Sequence, residues 1–211
     1  QTLDIPLTDL VDYIDWMPFF NAWEFHGKFP AILDDKVVGE AATTLYKDAR
    51  EMLDKIVSEQ WMKAKAVIGF FPAHAKGDDV LVYGDESREM PVATLHQLRQ
   101  QRQKSGGQPN YCLADFVASQ SSGAADYVGG FAVTAGLGME PYVAAFEKAH
   151  DDYNAILLKA LADRLAEACA EYMHVRVRKE FWGYAPDEAL ENNQLIAEDY
   201  RGIRPAPGYP A

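Results

Sequence analysis

KAVIGFFPAHA (residues 65–75) and GDDVLVYGDES (residues 77–87) are the two stretches that decide the fold. The first is an apolar run without helical spacing, which is typical of a buried strand. Gly77-Asp78-Asp79 has turn chemistry, and an apolar run that follows it forms a second strand candidate. Two strands joined by a short turn favour antiparallel pairing. These stretches therefore predict the first hairpin of an antiparallel sheet.

Two further strand candidates lie C-terminal to this hairpin. They are YCLADFVA (111–118) and DYVGGFAVTAG (126–136), and a polar segment rich in Gln, Gly and Pro separates the first of them from the hairpin. That polar composition predicts an exposed loop over residues 96–110.

Helical patterns lie on both sides of the strands. From Val38 to Trp61, apolar residues recur every three or four positions, and the same spacing continues from Pro141 to Tyr184. The second pattern predicts two helices with a joint near Asp151-Asp152 and a long helix over residues 152–179. Arg176, Arg178 and Lys179 fall in its last turn, where cations stabilise the helix dipole. Strands grouped between helices, without βαβ alternation, predict an α+β fold: a single domain with a mainly antiparallel central sheet flanked by long helices.

Composition and charge restrict the classes of partner. The chain of 211 residues is 48% hydrophobic, as expected for a folded domain, and its net charge is −12. Such an acidic surface repels phosphate backbones and anionic membranes, so we expect no nucleic-acid and no membrane partner. Cys112 and Cys169 form no Cys-x-x-Cys motif and predict reduced, structural thiols in a cytoplasmic protein.

Two short motifs suggest chemistry but favour structural interpretations. Gly136-x-Gly138 lies between a strand and a helix, yet it lacks the third glycine of a dinucleotide loop and places Glu140 where a phosphate would bind. These residues are therefore expected to be turn glycines.

The Glu-x-x-His pairs Glu147/His150 and Glu171/His174 contain half of the ligands of a di-iron site. On one continuous helix the two pairs would lie ~36 Å apart, and no Gly or Pro lies near the joint to reverse the chain. We expect no metal here, although a helical di-metal protein remains an alternative.

Asp163 and Glu167 lie four residues apart and share a face of the long helix. They form either a solvated acidic stripe or, because small side chains lie beside them, a contact for a cationic ligand. Near the N-terminus, residues 5–23 predict short helices with a break at Asp15-Trp16.

Five longer stretches together resemble the activation domain of cobalamin-dependent methionine synthase. They are YIDWMPFFNAWEFHGKFP (13–30), VIGFFPAHAKGDDV (67–80), NYCLADFVA (110–118), DDYNAILLKALADRLAEACAEYMHVRVRKEFWGYAP (151–186) and GIRPAPGYPA (202–211). The resemblance implies one activation domain over residues 1–211. Since the family's domain continues beyond GYPA, it also implies truncation at the C-terminus relative to the family.

The resemblance implies a binding site for S-adenosylmethionine. The family's Arg-x-x-x-Gly-Tyr motif is matched by RPAPGY, residues 204–209. This match implies that Arg204 faces the methionyl carboxylate or nearby polar groups of the ligand. It also implies that residues 206–209 line the adenosyl part of the ligand. The ligand carries an ammonium, a sulfonium and a carboxylate, so its site needs anions as well as a guanidinium. The implied binding residues are Asp15, Glu167, Arg204, Ala206, Gly208 and Tyr209, and no catalytic side chain is implied.

The implied activity is the reductive reactivation of cob(II)alamin to methylcobalamin. In that family a flavodoxin-type electron donor supplies one electron, and the cob(I)alamin formed takes a methyl group from S-adenosylmethionine. Cobalamin is bound by another domain, so the partners expected for this chain are the cobalamin-binding domain and the electron donor. The fragment is a part of a methyltransferase and is expected to be inactive alone. A non-catalytic docking module for the same partners is the alternative, and binding of the ligand distinguishes the two.

Overall fold

A computed structural model of the protein describes residues 1–206. Within it the chain forms two compact units, which we describe separately. Unit 1 comprises Gln1–Val67 and Ala132–Gly202, and unit 2 comprises Ile68–Phe131 together with residues 203–206 of the described chain.

The strands form one mainly antiparallel sheet. They are β1 (Thr2–Ile5), β2 (Lys63–Lys76), β3 (Asp79–Tyr83), β4 (Pro91–His96) and β5 (Asp126–Leu137). The order is β1-β2-β3-β4, and β5 also pairs with β2. Each neighbouring pair along that order is antiparallel. The predicted α+β class with a mainly antiparallel sheet is confirmed.

Five α-helices lie within residues 1–206. They are α1 (Met17–Ala22), α2 (Gly39–Ser58), α3 (Glu140–Lys148), α4 (Asp152–Arg176) and α5 (Asn192–Ile196). A π-helical turn, Val177–Phe181, extends α4, and in it the amide of Trp182 donates to the carbonyl of Val177 over 2.9 Å. The predicted helices over residues 38–61 and 152–179 are confirmed within a few residues.

The core of unit 1 forms between α2, α4 and the N-terminal segment. The apolar positions that repeat along α2 are all buried, as the helical spacing requires. The helix α4 packs against α1, α2, α3 and the short 3₁₀-helix Val11–Tyr13. The buried side chains of this core include Leu10, Ile14, Phe19, Phe20, Leu45, Leu53, Ile56, Leu157, Leu158, Leu161 and Leu165.

Unit 2 contains the predicted hairpin. Strands β2 and β3 pair from Ala73 opposite Val82 to Lys76 opposite Asp79, and Gly77 has a φ of 63° in the turn. A left-handed residue at this point is most readily a glycine, because no Cβ opposes it. A small buried cluster in this unit contains Ala73, Ala75, Val80, Cys112 and Ala114, with Val117 and Val128 packed against it.

The joint between α3 and α4 lies where the sequence predicts it. His150 adopts a left-handed conformation with a φ of 55°, and the Asp151 side chain accepts a hydrogen bond from the amide of Asn154 over 3.1 Å. This N-cap starts α4 at Asp152. The joint contains no Gly or Pro, and the left-handed His150 lies at the change of direction instead.

The prediction of a strand at residues 111–118 is wrong. Leu113–Phe116 forms a 3₁₀-helix instead, because the Asp115 carboxylate accepts from the Cys112 amide over 2.9 Å and the Asp115 amide donates to the Cys112 carbonyl over 2.9 Å. Local hydrogen bonds of this kind compete with strand pairing. The strands β1 and β4 were not predicted.

Candidate functional site

Asp15 lies at the break that the sequence predicts. The 3₁₀-helix Val11–Tyr13 ends before it and α1 begins after it, at Met17. The half-buried Asp15 carboxylate accepts a hydrogen bond from the Met17 amide over 2.9 Å. One oxygen is thus engaged at the start of a helix, and the group has a structural function besides any contact with a ligand.

Glu167 lies in the middle of α4 and is exposed. Asp163, one turn earlier, is also exposed and forms an ion pair with Arg164 at 2.5 Å. The segment that carries Asp15 packs on α4, since both α1 and the 3₁₀-helix Val11–Tyr13 contact it. The fold therefore brings the two elements that carry Asp15 and Glu167 into the same unit.

Arg204 and Ala206 are the last candidate residues that the structure describes. Arg204 is half-buried and Ala206 is exposed, and both lie in a segment without regular secondary structure, as the prolines of this stretch predict. The positions of Gly208 and Tyr209 lie outside the described residues.

A buried polar cluster in unit 1 is a feature that the sequence did not predict. Arg178, in the π-helical turn, donates from Nε and Nη2 to the two carboxylate oxygens of Glu188 at 2.8 and 2.7 Å. Its guanidinium carbon lies 4.3 Å from the ring centroid of Tyr200, and the ring of His174 meets the same tyrosine edge-on at 4.7 Å. The sequence predicted Arg178 only as a cation at a helix end, where it stabilises the dipole, and the burial of its side chain has no signal in the local sequence.

Tyrosines border this cluster. Burial raises the pKa of Tyr13 and of Tyr184, and for each the charge of Arg178 acts in the opposite direction. Tyr13 packs edge-on against Tyr172 of α4 at 5.5 Å. The phenols of Tyr13 and Tyr184 therefore stay protonated at neutral pH, and the Tyr184 hydroxyl donates a hydrogen bond to the carbonyl of Arg201.

The two Glu-x-x-His pairs lie in different surroundings. Glu147 and His150 are exposed, and Glu147 forms an ion pair with Lys159 at 2.9 Å. His174 is buried and packs against Tyr200. Among residues 1–206, no group of three or more His, Cys, Asp or Glu side chains is arranged to hold a metal ion.

The glycines of TAGLGME form a turn, as predicted. Gly136 and Gly138 have φ values of 110° and 92°, and the Gly136 carbonyl accepts from the Met139 amide over 3.1 Å.

Both free cysteines are buried, and burial raises the pKa of Cys169 to about 11. Within the described part of the chain, no helix has the length and apolar character that a bilayer crossing requires.

The fold defines the class of this protein as an α+β domain with an antiparallel sheet and a long helix. A comparison with protein families narrows that class. Residues 6–211 match the family described as vitamin B12 dependent methionine synthase, activation domain. The chain therefore belongs to this family, as its resemblance implies.

A solved structure supports the same assignment. The chain is 56% identical to the protein in the "Crystal Structure of the MetH Reactivation Domain bound to AdoHcy", with a TM-score of 0.93. The match covers 99% of this chain and 64% of that one. The chain thus spans somewhat less than two thirds of the length of the protein that it matches.

Proposed function

We propose that this chain binds S-adenosylmethionine and serves the reductive reactivation of cobalamin in a B12-dependent methionine synthase. The observation that carries the proposal is the 56% identity, over 99% of the chain, to a reactivation domain whose crystal structure is described as bound to AdoHcy. AdoHcy lacks the transferable methyl group of S-adenosylmethionine and with it the sulfonium charge, and the two share every other group, so a site that holds one presents most of the contacts for the other.

The proposed binding residues follow the resemblance of the sequence to the family. The carboxylates of Asp15 and Glu167 would face the positive charges of the ligand, and Arg204 its carboxylate. Ala206, Gly208 and Tyr209 would line the adenosyl part. In support, the elements that carry Asp15 and Glu167 pack on each other, and Glu167 is exposed and available to a ligand.

The chemistry assigned to the chain is positioning. A methyl group that leaves a sulfonium releases a neutral thioether, so no proton is transferred and no acid–base pair is needed. Cobalamin, held by another domain of the full enzyme, would supply the metal centre that accepts the methyl group. The side chains of this domain would hold the sulfonium in line with that centre, which is catalysis by orientation.

We further propose that the cobalamin-binding domain and a flavodoxin-type electron donor are its partners, and that the protein acts in the cytoplasm. The family assignment to a B12-dependent enzyme supports the first of these partners. The fragment alone is proposed to be inactive, because it would need cobalamin from another domain.

The experiment that tests the proposal is calorimetric titration of the full 211-residue chain with AdoHcy and with S-adenosylmethionine. We expect saturable binding of both, with adenosine and methionine as controls that bind much more weakly. If the folded chain shows no heat of binding with either compound at millimolar concentration, ligand binding is refuted. The docking-module alternative then becomes the better explanation.

A further inference from the structure

The backbone of Arg201-Gly202 rests directly on the side chain of Tyr184. The Tyr184 hydroxyl donates to the carbonyl of Arg201 over 3.1 Å, and the Arg201 guanidinium lies 5.9 Å from the centroid of the same ring. A Cβ atom added to Gly202 would lie 2.7 Å from the Tyr184 hydroxyl oxygen, and Gly202 has a φ of 98°. A side chain at this position would therefore strain the backbone and displace the Tyr184 hydroxyl.

A second contact holds the residue just before this pair. Tyr200 lies against the buried guanidinium of Arg178, and the carboxylate of Glu188 fixes that guanidinium through two hydrogen bonds. The Arg178 carbonyl in turn accepts from the amide of Ala185, next to Tyr184. The π-helical turn thus anchors both tyrosines, and together they restrain three consecutive residues, 200–202.

We propose that this Tyr184–Gly202 contact, supported by Arg178, is a positioning device for Arg204. Arg204 follows Gly202 by two residues, a stretch of chain no longer than about 7 Å. A displacement of the backbone at Gly202 therefore also displaces the backbone from which the Arg204 side chain extends. The inference rests on the proposed function and adds to it that Tyr184 and Gly202, which are not among the proposed binding residues, tune the affinity for AdoHcy.

The physical basis is preorganisation. A loop that is ordered before binding loses less conformational entropy when the ligand arrives, so affinity rises without a new contact. The competing interpretation is that Tyr184 only stabilises unit 1. The two differ in what a mild substitution changes: a positioning residue alters affinity, whereas a structural residue alters the free energy of unfolding.

The test uses the full chain with Tyr184→Phe, Gly202→Ala and the double variant, each titrated with AdoHcy. Tyr184→Phe keeps the ring and removes one hydrogen bond, so we expect affinity to fall about 3–10-fold. Gly202→Ala should weaken binding more. In the Tyr184→Phe background, Gly202→Ala should weaken binding less than it does in wild type. The hydroxyl oxygen that the new methyl group would contact is absent there. Tyr172→Phe is the matched control: it removes a phenol hydrogen bond of 3.2 Å to Asp9 in the same unit and should leave affinity unchanged.

A second measurement does not depend on the ligand. Amide hydrogen exchange of residues 201–204 should accelerate in Tyr184→Phe, while exchange in α4 and the melting temperature stay close to wild type. Failure of the wild-type chain to bind AdoHcy overturns the proposed function, and this inference with it. If wild type binds and Tyr184→Phe binds equally well with unchanged exchange, the inference alone is overturned. A lower melting temperature with unaltered affinity also overturns it.

Discussion

Arg178 and Glu188 form a bidentate ion pair from which water is almost excluded, with side chains 0% and 8% exposed. Loss of one member of such a pair leaves the other charge buried and uncompensated. This relationship differs from that of Arg176 and Glu180, two neighbours in the same turn that pair at 2.8 Å with side chains 23% and 56% exposed. The two pairs therefore provide a matched comparison.

We predict that Glu188→Gln lowers the free energy of unfolding by about 3–5 kcal/mol, the range for a broken buried pair. Glu180→Gln, the exposed counterpart, should change it by less than about 1 kcal/mol. Urea unfolding followed by circular dichroism measures both. Equal effects of the two substitutions would show that burial of the Arg178–Glu188 pair does not increase the free energy lost when the pair is broken.

Replacement of Arg204 tests the site itself. We predict that Arg204→Ala weakens the binding of AdoHcy by about 1.5–3 kcal/mol, or roughly 10–150-fold, with little change in melting temperature. Arg102→Ala is the control, because Arg102 is an exposed arginine of the same unit outside the motif. Titration calorimetry gives both affinities. If both variants bind as wild type does, Arg204 is not a ligand contact.

The two carboxylates of unit 1 require substitutions that separate binding from structure. Asp15→Asn keeps an oxygen acceptor for the Met17 amide and removes the charge, so we predict weaker binding at nearly constant stability. Asp15→Ala also removes the acceptor and should lower stability by about 1 kcal/mol in addition.

Glu167→Gln should weaken binding without a change in stability. Glu51→Gln, on the surface of α2, is its control and should leave the affinity unchanged. Calorimetry and thermal melts together distinguish these outcomes, and a stable Asp15→Asn variant with full affinity would contradict a ligand role for this residue.

Acid stability should depend on Asp115. Hydrogen bonds from the Arg99 guanidinium and then from the Cys112 amide lower the pKa of Asp115 to about 2. An unfolded aspartate titrates near 3.9, so the folded state loses this stabilisation as the pH falls from about 4 to about 2 and retains it fully above. We predict that the difference in melting temperature between wild type and Asp115→Asn shrinks over this interval. A difference that stays constant from pH 5 to pH 2 would contradict the prediction.

The cysteines should be inert in the native protein. With the pKa of Cys169 raised to about 11 by burial, about one molecule in a thousand carries the thiolate at pH 8. In a Cys112→Ala variant, which isolates Cys169, we predict very slow reaction with an aromatic disulfide reagent and immediate reaction in guanidinium. Fast labelling of the native variant would show that the helix α4 opens readily.

Elements with a local pattern could be predicted from the sequence, and elements that depend on distant partners could not. The helix α2 follows from the spacing of residues such as Leu45, Met52 and Ile56, all of which are buried. By contrast, every residue of β4 is exposed, so no alternation of apolar and polar side chains marks the strand. At residues 113–116 the strand-like composition was outweighed by the hydrogen bonds of Asp115.

The same distinction holds for the site. The break that holds Asp15 follows from the local sequence, and the structure confirms it between Tyr13 and Met17. The ligand roles of Asp15, Glu167 and Arg204 stay predictions from the family resemblance. The buried state of Arg178 was missed because its partners, Glu188 and Tyr200, come much later in the chain.

The π-helical turn at Val177–Phe181 accommodates more residues per turn than the α-helix that it extends. Loss of a single codon here would restore ordinary α geometry and rotate every following side chain by about 100° around the axis. Arg178 would then face away from Glu188, and residues 200–202 would lose their support. This region should therefore tolerate almost no change in length, which makes its length, together with the buried Arg178, a criterion for deciding which relatives share this arrangement.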